Sequence, residues 1–300
     1  MHRSKNMKML KKLYDQDTNI IRYLRESDDS STSLVEAILI SYDLQAGSYT
    51  EILKDPKAEK SQIRYTTAIA ELFDDKHCDS ILEAGVGEAT TLANVVNAME
   101  NIPGDILGFD ISWSRVHYGK KYSKNKNVNT VLFVGSYFEI PIADDAVDIV
   151  YTSHSIEPNR GKEKEILSEL YRITRKYLIL LEPSNELGTE QTKKHIREQY
   201  YCKDLFRHAK ELNFNVTEHR IFDHSTNPAN QTALMIIEKD IHSESCEDDF
   251  FACPCCKNSL VLHKGNYFCG DCLLIFPVID GIPCLMSSCG ILGSKYMQEL

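Results

Sequence analysis

No run in the 300-residue sequence approaches the ~18 consecutive apolar residues that a membrane-spanning helix needs. The first thirty residues also lack the apolar stretch of a secretory signal, with Lys11, Lys12, Asp15 and Asp17 among them. Together these absences predict a soluble protein of the cytoplasm, with no membrane span. Basic charge is in deficit as well: 34 Lys and Arg stand against 44 Asp and Glu, a net charge of −10. A general grip on phosphate backbone therefore has no support, and nucleic acid is a disfavoured partner. Neither an internal repeat nor a low-complexity tract is evident. What is present, 42% hydrophobic and 26% charged residues, is globular composition over roughly two domains' worth of chain.

Cysteine is scarce over most of the chain, where only Cys78 and Cys202 occur, and the other eight lie between Cys246 and Cys289. In a reducing compartment a cluster of that kind points to metal rather than disulfides. Residues 1 to 75 carry helical periodicity, for example Leu34, Ile38 and Leu39, interrupted by a polar loop at 27–33. From residue 76 short apolar runs (80–84, 105–110, 130–134, 147–152, 177–181) are interspersed with helical segments (91–99, 113–122, 162–174, 190–212). That alternation predicts an α/β fold with a doubly wound, parallel sheet. Two further strands, 215–222 and 233–238, are too close for a crossover helix and should pair antiparallel. The expected division is a helical lead and lid at 1–75, a catalytic unit at 76–242, an acidic linker at 244–249, a small cysteine-rich unit at 246–290 and a tail at 291–300.

After the first strand, Glu83 is followed by Gly85 and Gly87, then a helix, a second strand and Asp110 at its tip. The geometry is that of a dinucleotide-binding turn, where glycines admit the ligand and an acid holds ribose hydroxyls, but Thr90 stands at the third glycine position. An acid before the glycines and another at the second strand tip make this segment, through Glu238, resemble the class I S-adenosylmethionine-dependent methyltransferases. That resemblance implies a Rossmann-like methyltransferase sheet and S-adenosyl-L-methionine as cofactor. It implies ligand roles for Glu83, Gly85, Gly87 and Asp110, adenine packing at Ile111, and adenine contacts at Ser136 and Tyr137, with serine where the family usually has aspartate. An acid by the glycine turn suits the methionyl part of such a cofactor, directly or through water.

Ligands in open α/β sheets sit beyond the carboxyl ends of strands, so the segment after the fourth strand should face the transferred methyl group. It contains His154 and Glu157. His154 is the first candidate for base, with Glu157 orienting it or serving instead; a loop hydrogen bond and a helix cap are the structural alternative. Glu182, after the fifth strand, lies on the same rim. Tyr42 and Tyr49 have the position of a lid, with core packing as the default reading. Asn230-Gln231-Thr232 reads as an accidental glycosylation sequon.

Cys253, Cys256, Cys269 and Cys272 form two C-x-x-C knuckles twelve residues apart, the spacing of a structural zinc site, with Cys255 turned away. The following Phe276–Met286 segment resembles the end of Trm112-like zinc-ribbon domains, a group that activates or accompanies methyltransferases. The expected function is methyl transfer to a small-molecule acceptor, at an oxygen of a sugar-linked or phosphate-type metabolite. RNA methylation, helped by a patch of Lys162, Lys164, Arg172, Arg175 and Lys176, and a non-catalytic scaffold docking a partner through the zinc unit are the alternatives. A protein partner or a dimer through that unit is a further expectation.

Overall fold

The computed structural model describes residues 6–26, 32–225, 227, 229–239 and 250–298. The expected loop at 27–33 falls mostly, and the acidic linker at 244–249 wholly, outside these residues. Helices α1 (Met7–Tyr14), α2 (Ile20–Glu26), α3 (Leu34–Leu44), α4 (Ser48–Ile52) and α5 (Pro56–Asp74) precede the first strand. Local caps start three of them: Asn6 accepts from the Met9 amide, Ser33 from Glu36, and Asp55 from Lys57 and Ala58 with Pro56 in the first turn.

Strands β1 (Ser80–Ala84), β2 (Asp105–Asp110), β3 (Val131–Val134), β4 (Val147–Ser153) and β5 (Thr174–Pro183) are interspersed with α6 (Thr90–Ala98), α7 (Trp113–Asn125) and α8 (Glu163–Ile173). Then follow α9 (Glu190–Gln199), α10 (Leu205–Glu211), β6 (Asn215–Ile221) and β7 (Thr232–Glu238). The seven strands lie in the order β3-β2-β1-β4-β5-β7-β6, parallel through β5, with β7 antiparallel to both neighbours. Ile81, Leu82, Ile149, Val150, Ile179 and Leu180 are buried on both faces of the sheet, as continuous apolar runs require. The chain winds outward from β1 through β2 and β3, then restarts on the other side at β4. The crevice at the ends of β1 and β4 is therefore the switch point where such sheets bind ligands.

The helix expected over 190–212 is two helices. Tyr200 (φ 57°) ends α9 and Asp204 (φ 59°) precedes α10, both in the left-handed region. Between them Cys202 is buried, its amide donating to the Glu157 carbonyl at 2.8 Å and its thiol to the Ile156 carbonyl at 3.3 Å. Contacts to the loop after β4 thus override helical propensity here.

The C-terminal unit contains β8 (Val261–His263), β9 (Asn266–Cys269), β10 (Leu274–Phe276), β11 (Val278–Ile279), β12 (Ile282–Pro283) and β13 (Ile291–Leu292). Its four-stranded sheet runs β13-β10-β9-β8, so Ile291 and Leu292, in the stretch read from sequence as a tail, pair with β10. The unit closes the exposed edge of the large sheet: the Leu285 amide donates to the Val134 carbonyl of β3 at 2.9 Å, and Phe251 meets Phe133 edge-on at 5.1 Å. Covering that edge removes a row of unpaired backbone groups that would otherwise recruit other strands.

Candidate active site

One cavity at the switch point is lined by Glu83, Gly85, Gly87, Asp110, Ile111, Ser136, Tyr137 and His154, so the structure brings these sequence candidates together. Gly85 (φ +70°) and Gly87 (φ +53°) are both left-handed. A Cβ on Gly85 would stand 2.4 Å from the Ser155 Cβ, and one on Gly87 would stand 2.6 Å from an Arg115 nitrogen. At Gly85 a Cβ would collide with a neighbouring Cβ at a left-handed φ, so only glycine fits there, while at Gly87 a side chain would have to displace the Arg115 guanidinium. Asp110 fixes the turn from the second strand: its Oδ2 accepts from the Gly87 amide at 3.0 Å and its Oδ1 from the Ser112 amide at 2.9 Å. Glu83 is buried at the end of β1, where its Oε2 accepts from the Tyr151 hydroxyl at 3.0 Å. Burial pushes the Glu83 carboxyl up to about 8, against which the Tyr151 hydrogen bond is insufficient. The Tyr137 hydroxyl donates to the Ala84 carbonyl at 2.7 Å, which makes this ring a wall of the cavity beside the turn.

Arg115 was not among the sequence candidates, because a basic residue inside a helix reads as solvated. It is buried, with its guanidinium 5.2 Å from the Tyr42 ring and 4.8 Å from the Tyr49 ring. Burial acts to lower its pKa, but the Asp110 charge and the two tyrosines outweigh that and hold the guanidinium charged. Tyr42 and Tyr49 line the cavity, and Tyr49, at 42% exposed, is not the core residue of the default reading. Two acids hold the 43–50 segment in place. Glu88 accepts from the amides of Gly47, Tyr49 and Thr50 at 2.9, 3.2 and 2.7 Å, and Asp43 accepts from the Ser112 hydroxyl at 2.7 Å.

His154 (φ 51°) is held from both sides, with Nδ1 2.5 Å from Glu157 Oε1 and Nε2 2.6 Å from Thr232 Oγ1. Asn230 donates to the same Glu157 oxygen at 2.9 Å. Asn230 and Thr232, from the tripeptide read as an accidental glycosylation sequon, thus supply two of the four members of this cluster. Burial acts to lower the imidazole pKa, but the charge and hydrogen bond of Glu157, with the Glu182 charge behind it, outweigh burial and raise it above 6.5. Glu182 does not reach the cavity: it is buried, with Oε1 accepting from the Ser155 and Ile156 amides at 3.0 and 3.3 Å. Instead of meeting a ligand it braces the loop that presents His154. Burial, then the Glu157 charge, push its carboxyl up to about 7.

The basic patch expected near α8 is neutralised. Lys162 pairs with Glu165, Lys164 with Glu211, Arg172 with Glu169 and Asp144, and both Arg175 and Lys176 with Asp148. Among the described residues no helix is long and apolar enough to cross a membrane. In the C-terminal unit the thiols of Cys253, Cys256, Cys269 and Cys272 all lie within 4.8 Å of one another, while Cys255 is exposed.

Residues 81–177 match the family model of a methyltransferase domain. No curated protein sequence matches the chain. Among solved structures, the magnesium protoporphyrin IX methyltransferase of Synechocystis PCC 6803 is similar at 10% identity and a TM-score of 0.49, over 78% of this chain and 100% of that one. A chain of the complex between the Haloferax volcanii Trm112 methyltransferase activator and a methyltransferase is similar at 15% identity and 0.47, over 65% and 96%. The geranyl diphosphate C-methyltransferase of Streptomyces coelicolor A3(2) is similar at 12% and 0.46, over 58% and 77%. At these identities and scores the three bear on neither substrate nor partner. The family match covers the stretch that builds β1 through the start of β5, which includes the glycine turn and Asp110.

Proposed function

We propose that the chain transfers the methyl group of S-adenosylmethionine to an oxygen of a small molecule. The observation that carries this reading is the convergence of Glu83, the two left-handed glycines and Asp110 on one crevice at the switch point. The residues fit the cofactor: a buried acid for the methionyl ammonium, a cradle that any Cβ would fill, and an acid at the second strand tip for ribose hydroxyls. Ile111, Ser136 and Tyr137 would border the adenine. When bound, S-adenosylmethionine supplies an electrophilic methyl group on a sulfonium.

His154 and Glu157 act on the acceptor. Glu157 accepts from Nδ1–H, which leaves Nε2 as the atom that takes the acceptor's proton once the Thr232 hydroxyl yields its place. A hydroxyl, such as a sugar-linked one, suits this end of the cavity better than a phosphate oxygen, because the charges nearest His154 are Glu157 and Glu182. The cations of the α8 region are already paired, which supports a small-molecule acceptor over RNA.

The C-terminal unit is a Trm112-like zinc ribbon joined in cis to the methyltransferase domain, with the helical lead as its lid. The Cys253–Cys272 and Cys256–Cys269 sulfur distances of 3.9 and 3.5 Å suit a tetrahedral ion, for which Zn–S bonds of about 2.3 Å place sulfurs about 3.8 Å apart. Four thiolates close the coordination shell, so the metal is structural.

The test is the pH dependence of cofactor binding. A Glu83 carboxyl that ionises only near 8 is neutral at lower pH and attracts an ammonium poorly, so affinity should rise with pH up to about 8. Above about 8 the amino group of the cofactor loses its own proton and affinity should fall again. Calorimetry on Glu83→Gln should show weaker binding and only the falling limb. A rising limb that survives the substitution would remove Glu83 from the cofactor site.

A further inference from the structure

Arg115 lies in the first turn of α7, whose cap, the Ser112 hydroxyl, accepts from the Arg115 amide at 3.1 Å. From there its side chain covers the glycine turn: a Cβ on Gly87 would stand 2.6 Å from a guanidinium nitrogen and 3.0 Å from the guanidinium carbon. The residue is 8% exposed and lines the main cavity. A buried guanidinium normally spends its N–H groups on acceptors, since desolvating them is costly. Among the described residues, however, the buried Nε has no hydrogen-bond partner. The acids beside it are engaged with backbone: Asp110 accepts from the Gly87 and Ser112 amides, and Glu88 from those of Gly47, Tyr49 and Thr50. What faces the guanidinium are the rings of Tyr42 and Tyr49, at 5.2 and 4.8 Å. An aromatic face keeps a guanidinium in place while leaving its fork of N–H donors open to an anion.

We propose that Arg115 binds the carboxylate of the methionine portion of S-adenosylmethionine. This rests on the methyltransferase reading and deepens it, by giving a partner to the one charged group of the cofactor that the other residues leave unmatched. An α-amino acid carries its ammonium and its carboxylate on the same carbon, so recognising it takes an acid and a base placed close together. Glu83, at the end of the strand before the glycine turn, and Arg115, over the second glycine, form such a pair. The two feel each other's charge, since Arg115 eases the ionisation of the Glu83 carboxyl. A carboxylate that accepts from Nε and a terminal nitrogen together fills the fork in the geometry guanidinium groups favour. The site is then selective for the complete amino acid. A ligand that keeps the nucleoside, the sulfur and the amine but lacks the carboxylate should bind poorly.

The test is calorimetry on the full-length protein with two ligands, S-adenosylhomocysteine and its decarboxylated counterpart, which differ only in the carboxylate. The wild type should prefer the first by about tenfold or more, through charge-assisted hydrogen bonds from Arg115. In Arg115→Gln the preference should vanish: affinity for S-adenosylhomocysteine falls to that for the decarboxylated ligand, whose own affinity is unchanged and shows the variant to be folded. Arg115→Lys, which keeps the charge without the fork, should retain part of the preference, and it decides the matter if Arg115→Gln does not fold. Equal affinity of the wild type for the two ligands, or an equal loss of both in either variant, overturns the proposal and leaves the methyltransferase reading standing. A preference that survives Arg115→Gln gives the carboxylate to another group and also overturns it. Binding of neither ligand by the wild type removes the methyltransferase reading, and the proposal with it.

Discussion

Replacing Cys256 and Cys272 together by serine should eliminate bound zinc, which we expect at one ion per chain, and unfold the C-terminal unit. A unit whose strands are two to four residues long buries little surface of its own, and structural zinc supplies about 10–16 kcal/mol in isolated finger peptides. Here the consequence should spread. Leu285 and Phe251 cover β3, so loss of the metal should expose the Val134 carbonyl and the Phe133 ring at the edge of the large sheet. Elemental analysis of the purified variant checks the first point, and faster amide exchange at Leu285 with concentration-dependent aggregation checks the second. Full zinc occupancy in the variant would contradict the assignment of the site. Unchanged exchange at Leu285 in metal-free protein would show that the unit is held by packing alone.

Removing the imidazole should have the largest effect on chemistry. His154→Ala is expected to lower turnover by ~10²–10⁴, the range for a positioned general base, while cofactor affinity stays as it was. Because the interaction with Glu157 raises the imidazole pKa above its ordinary 6.5, His154 is protonated at and below that pH and cannot accept a proton. At saturating cofactor, turnover should therefore rise with pH as the solution passes the raised pKa. The same shift has the opposite sign for stability: the protonated pair stabilises the fold fully below the unfolded imidazole's pKa, and that contribution is lost as pH rises through the folded value. Turnover within a few-fold of wild type in His154→Ala, together with inactivity of Glu157→Ala, would transfer the role of base to the carboxylate. If both variants stayed active, proximity alone would carry the reaction.

The elements that were legible in the sequence are those whose determinants are local. Glu83, Gly85, Gly87 and Asp110 stand at the tips of two apolar runs, and the knuckle spacing of the four cysteines predicts a cluster without any knowledge of the fold. The antiparallel β6–β7 pair follows from a connection too short to cross over. What escaped depends on partners far along the chain. Thr232 is 78 residues from His154, and Asn230 is 73 from Glu157, so nothing in the 154–157 segment announces them. Glu88 looks like a turn residue until Gly47 and Thr50 arrive from a helix some forty positions earlier. Arg115 carries no local mark of function, since its partners Tyr42, Tyr49 and Asp110 come from the N-terminal helices and the second strand. The break at Tyr200 was hidden for a similar reason: a tyrosine has no preference for φ 57°, and only the burial of Cys202 against the Glu157 loop requires it.

The crevice at the switch point is tested most directly by calorimetry of S-adenosylmethionine with wild-type protein and with Asp110→Ala. On the proposed reading Asp110 holds ribose hydroxyls, and in the structure it accepts from the Gly87 amide, so its loss should remove charged hydrogen bonds from both ligand and turn. The wild type should bind one equivalent, and the variant should bind more weakly by about 1.5–3 kcal/mol. Equal affinity for the two proteins, or no binding to either, would contradict the account.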